Sequence, residues 1–243
     1  MRALVQRAIP ERARELLTAE RLLLEKRSGL RRAAPYLALF VNLFVNGYLH
    51  PLLRQDPAGL PLALFFFLKC TAITGFFLLH YLTVSEALLD RIEHLPVGRS
   101  ARFALVALGA LRTPGIVGLL LTDLLFLVVV FGERAGVAAV AVCGMTFLVI
   151  GTIAAVAAAS LGLRRSSYPV TALAALSALA LAVLAASLIV FRASGLLPLV
   201  PLIWLATTAI GAALAGAAVS ALVHLAVLGA VSGGLLYLGK KIA

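Results

Sequence analysis

The chain's 243 residues could make one or two soluble domains, but 63% hydrophobic and 13% charged positions, with a mean hydropathy of +1.08, exclude that class and place it among integral membrane proteins. The formal net charge of +11 does not point to nucleic acid. Nine of the 21 Lys and Arg crowd into the first 32 residues with no aromatic residue among them, so anionic lipid headgroups are the fitting partner.

Residues 1–32 read as a cytoplasmic interface segment, and residues 33–243 as a single transmembrane domain. The N-terminal stretch lacks the short basic stub, apolar core and small-residue cleavage site of a signal peptide, so the first span is expected to serve as the insertion signal. Within it, residues 9–28 have the pattern of an amphipathic helix on the inner membrane surface. Pro10 and Glu11 suit its first turn, and Ile9, Ala13, Leu16, Leu17, Leu23 and Leu24 gather on one face flanked by Arg12, Arg14 and Arg21. Glu20 interrupts that face. Blocks of the length needed to cross a bilayer, about 20 residues each, then follow in order. The first covers about residues 35–53 and ends at the polar turn RQDPAG; the second covers about 60–83. A charged stretch, VSEALLDRIEHLPVGRSAR, separates it from a third span at 114–131, begun at Pro114 because proline is accommodated in a helix's first turn. The fourth span covers about 137–161 and the fifth about 170–191, stopped by Arg192-Ala193-Ser194-Gly195.

The remainder, residues 196–238, holds 43 mostly apolar positions without a formal charge. It is too long for one span and barely long enough for two. Either residues 198–214 form a re-entrant segment before a last span at about 217–238, or both halves cross and the spans number seven. Charge favours the first reading. Cytoplasmic flanks concentrate Lys and Arg, and six spans with both ends inside place 17 of these residues inside against three outside: Arg54, Arg134 and Arg192. A seventh span would move Lys240 and Lys241 to the outer face. The sequence therefore predicts an all-α polytopic fold of six transmembrane helices in the cell (inner or plasma) membrane, with cytoplasmic termini.

Few polar groups fall within the spans. Lys69 and Asp123 are the deepest ionisable residues, and both lie about 12–14 Å below the outer ends of their helices at ~1.5 Å per residue. Matching depth on antiparallel helices allows a buried ion pair; a place on a substrate path, or at a dimer interface, is the other reading. Asn42 and Asn46, four apart, share one face of the first span and fit interhelical hydrogen bonding or substrate contact. His80 and His224 read as packing residues, as do Cys70 and Cys143, which lie inside apolar blocks with no disulfide or metal-site spacing. Gly229 and Gly233 form a small-xxx-small pair that permits close helix approach.

Residues 84–112 carry the most specific pattern. Leu88, Ile92 and Leu95 recur at helical spacing, Glu86, Asp90 and Glu93 occupy other faces, and Pro96 ends the helix. A second helical stretch, residues 99–111, leads back to the bilayer. The segment LLDRIEHLPVGRSARFALVALGAL resembles the coupling loop of type-2 ATP-binding-cassette (ABC) exporter permeases. The layout is similar too: a surface helix, six spans, and a broken segment, LPLVPLIWLATTAIG, before the last span. The outer loops are short, with no external domain of the kind some members have.

The resemblance implies a transport subunit, not an enzyme, that pairs as a homodimer or heterodimer and docks separate ABC ATPase subunits. Arg91, Glu93, Leu95, Pro96, Val97 and Arg99 would form the ATPase contact. ATP and magnesium would sit on that partner, and this chain would bind no cofactor. In keeping with this, the nearest approach to a phosphate loop, Gly234 to Lys241, lacks the final Ser or Thr and a following helix. Two other classes are weighed against the exporter: an ion-coupled carrier or scaffold subunit, and an intramembrane enzyme. A carrier would show breaks in both halves, whereas only the C-terminal half shows one. An enzyme would need a carboxylate, His/Glu or Ser/His cluster, and the scarce polar residues offer none.

Overall fold

The structure is a computed structural model that describes residues 29–92, 98–164 and 201–242, and these are helical apart from short connections. In chain order the helices are α1 (Gly29–Gln55), α2 (Leu60–His80), a π-helical turn (Tyr81–Ser85), α3 (Glu86–Ile92), α4 (Arg99–Leu111), α5 (Pro114–Phe131), α6 (Ala135–Arg164), α7 (Pro201–Leu214) and α8 (Ala218–Ile242). The amphipathic helix at 9–28, the span at 170–191 and residues 93–97 fall outside the described residues.

Among the described residues, four helices, α2, α5, α6 and α8, are long and apolar enough to cross a membrane. The chain is thus an all-α, multi-span membrane bundle. Helix α1, 27 residues and about 40 Å long, carries Asn42, Asn46 and His50 in its run. The punctuation behaves as its chemistry dictates. Thr113 stands in extended backbone geometry before α5, Pro114 occupies the first turn, and Thr113 Oγ1 donates to the Ala110 carbonyl at 2.8 Å, closing the end of α4.

Helix α6 is the axis of the bundle, packing against α2, α4, α5, α7 and α8. Small residues along it let these neighbours come close. A Cβ built on Gly151 would lie 2.7 Å from Ser232 Oγ of α8, and that hydroxyl donates to the Phe147 carbonyl of α6 at 2.8 Å. Of the small-xxx-small pair, Gly229 fits against Phe147, while Gly233 faces open space. The core is filled by Phe65, Phe66, Phe67, Phe77 and Tyr81 of the second helical segment with Leu148, Ile153 and Leu228. Conversely, Tyr36, Phe40, Phe44 and Tyr48, every fourth residue of α1, are exposed, as are Leu121 and Leu125 of α5. Such a surface suits hydrocarbon, not water.

Two connections differ from simple loops. The second span does not stop at Thr83. It runs on through the π-helical turn into α3, and Tyr81, Val84, Ser85, Leu88 and Leu89 are all buried. What the sequence presents as a loop helix is thus an extension of α2 packed into the protein. Helix α4 has the expected bounds and folds back against α6 and α8, where Phe103 sits on the backbone of Gly239: an added Cβ there would be 2.3 Å from its ring.

Near the C-terminus, α7 is described from Pro201 to Leu214. It ends in a Schellman turn. Ala217 N–H donates to the Ala212 carbonyl, Gly216 N–H donates to the Ala213 carbonyl, and Gly216 has φ +75°. This residue, the positive-φ glycine among those described, joins α7 to α8 as a packed hairpin.

Candidate functional site

Each turn of α1 that carries an asparagine faces inward, toward α2 and α5. Asn42 and Asn46 are 5% and 4% exposed on a helix whose other face is open, because their i, i+4 spacing aligns them on the packed side. Lys69 on α2 and Asp123 on α5 are 2% and 0% exposed. The structure brings all four residues together.

Lys69 Nζ lies 3.0 Å from Asp123 Oδ1, 2.6 Å from Asn46 Oδ1, and also within hydrogen-bond reach of Asn42 Oδ1. Three acceptors around one nitrogen use the three protons of an ammonium. The two amide nitrogens complete the ring: Asn42 Nδ2 donates to Asp123 Oδ1 at 2.9 Å and Asn46 Nδ2 to the same oxygen at 3.0 Å. Asn42 also donates to Thr122 Oγ1 at 2.9 Å, whose own proton goes to the Gly118 carbonyl at 2.8 Å. The Phe65 ring, one turn before Lys69, lies 5.0 Å from Nζ.

The cluster is neutral overall and ties three helices together. Asn46, Lys69 and Asp123 lie eight or nine residues from Gln55, Leu60 and Phe131, roughly 12–14 Å from those helix ends. An isolated charge at such depth is costly, and the pairing offsets that cost only because the remaining lone pairs and protons are also used. One atom departs from this rule: Asp123 Oδ2 is buried with no hydrogen-bond partner among the described residues.

The second group of predicted residues is partly in view. Arg91 lies on α3, and Arg99 is the exposed first residue of α4. Glu93, Leu95, Pro96 and Val97 lie outside the described residues. Of the remaining polar positions, His80 is buried, and His224 Nδ1 contacts the Ser220 carbonyl at 2.7 Å, with its ring edge-on to Trp204. Cys70 and Cys143 are free thiols, Cys70 Sγ lying 3.5 Å from Thr152 Oγ1.

Sequence reasoning singled out Lys69, Asp123, Asn42 and Asn46 but treated them as two separate features. It missed Thr122 and Phe65. The available signals were a threonine adjacent to the one intramembrane aspartate, and an aromatic residue four positions before the lysine. Searches of family models, curated proteins and solved structures find no match to this chain.

Proposed function

We propose that this chain is the membrane-spanning permease subunit of an ATP-driven ABC exporter, moving a substrate with energy from a separate ATPase docked on residues 84–112. The observation that carries this reading is mechanical. Helix α2 continues through the buried π-helical turn into α3, so Lys69 and the end of α3 lie on one helical rod of about 35 Å. Helix α4 packs on the π-helical turn, α6 and α8. A push delivered at the end of α3 or the start of α4 would therefore reach the polar cluster and the central helix directly. A flexible loop would dissipate it.

Other features agree. The tight Gly216 turn, which packs α7 back on α8, fits a re-entrant segment entering from the outer side, which keeps Lys240 and Lys241 in the cytoplasm and gives six spans. The permease works as a homodimer or heterodimer in the cell membrane, with ATP and magnesium held by the ATPase partner. The mainly apolar walls leave the substrate class open.

The test is co-purification with a soluble ATPase, followed by reconstitution in liposomes. ATP-dependent export is expected from the complex, and Arg99→Glu or Pro96→Gly should abolish transport while ATP hydrolysis and the membrane fold persist. Substrate movement by the purified chain with no ATPase present would overturn the reading.

A further inference from the structure

The oxygens around Lys69 Nζ form the donor set of a cation site. Two amide oxygens, from Asn42 and Asn46, and one carboxylate oxygen, from Asp123, converge on one point from two helices. Carbonyl and carboxylate oxygens of this kind coordinate hard cations. A salt bridge needs only the Asp123 contact. Here both asparagines also turn their oxygens to the ammonium and their nitrogens to the carboxylate. Their orientation is over-determined, since a flipped amide would set N–H against ammonium and oxygen against carboxylate. Thr122 fixes it further: its proton is committed to the Gly118 carbonyl, so it can only accept from Asn42 Nδ2. A fourth oxygen, Asp123 Oδ2, is fully buried and has no donor among the described residues.

We infer that this cradle is a monovalent-cation site whose cation is carried on the Lys69 side chain, and that it takes up sodium, potassium or a small ammonium ion when that tethered charge is removed. Removing the side chain leaves room at its former position and a buried carboxylate with no counter-charge, a cost that a bound cation would offset. In the native chain the consequence is independence. The ammonium holds α1, α2 and α5 together at every salt composition, so this joint does not follow an ion gradient. The inference stands apart from the exporter reading and survives or fails without it.

The experiment uses the full chain, synthesised into liposomes in chloride salts of sodium, potassium, methylammonium or choline at equal ionic strength. Choline is too bulky for the cradle. Folded yield and Tm are measured for wild type, Lys69→Ala, Lys69→Ser, and Lys69→Ala/Asp123→Asn. Both single variants should fold better in one or more of the small cations than in choline, saturably, with a Tm gain of about 5 °C. Wild type and the double variant should behave alike in all four salts. The inference is overturned if neither single variant shows a cation-specific gain, if neither yields folded protein in any small cation, or if wild type or the double variant gains as much.

Discussion

At the scale of single residues, the decisive arrangement is one carboxylate oxygen, Asp123 Oδ1, accepting from Lys69, Asn42 and Asn46 at once. Removing one partner of a buried, hydrogen-bonded ion pair leaves a lone charge and costs about 3–5 kcal/mol, whereas replacing both by apolar residues is often close to neutral. Lys69→Met and Asp123→Leu should therefore each lower stability by about that amount, and the double variant by much less. Unfolding of the purified variants in detergent micelles measures this, and additive losses would deny the pairing. Transport in the double variant then asks a separate question: recovery to the level of either single variant or better marks the pair as structural. Part of this cluster was legible in the sequence. Counting residues from the helix ends put Lys69 and Asp123 at one depth, and i, i+4 spacing put Asn42 and Asn46 on one face. That the two features are one was not legible, because depth along a helix says nothing of its rotation about its axis. The rotation is set by how α1 packs on α5 and α2, with Phe40 and Phe44 turned outward and the asparagines inward.

At the scale of elements, residues with fixed backbone demands marked the chain reliably. Pro114 opens α5 and Gly216 turns α7 into α8, each where its conformational preference requires. The π-helical turn left no such mark. No proline or glycine lies within Tyr81–Ser85. Its widened geometry goes with tertiary fit: Tyr81, Val84 and Ser85 are buried together, and the Tyr81 hydroxyl reaches the Ser160 carbonyl at 3.4 Å. The same limit hid the contact between α4 and α8. Gly239 stood out in the sequence only as part of the failed phosphate-loop pattern, yet Phe103 leaves no room there for a Cβ. Gly239→Ala should force α4 off α8 and destabilise the protein by about 1–3 kcal/mol, the usual cost of overpacking. Phe103→Ala in the Gly239→Ala background should recover part of that loss. Equal Tm for wild type and Gly239→Ala would show that α4 does not rest on α8 in the membrane.

At the scale of the whole molecule, the proposed topology is tested by which ends face the cytoplasm, and charge supplies the expectation. Seventeen Lys and Arg against three favour both termini inside. Lys241 separates the two topologies: an even number of spans keeps it inside, and a crossing at 198–214 would carry it out. Arg54, Arg99, Glu133 and Lys241 are all exposed, so a single cysteine at each can be reached by a reagent on its own side of the membrane. In a background with Cys70 and Cys143 replaced by alanine, an impermeant maleimide should label Arg54→Cys and Glu133→Cys in intact cells. It should label Arg99→Cys and Lys241→Cys only after permeabilisation. Labelling of Lys241→Cys in intact cells, with Arg99→Cys still protected, would mean that the C-terminal hairpin crosses twice. The seven-span reading would then stand, and α7 would have to draw on residues before Pro201 to reach across.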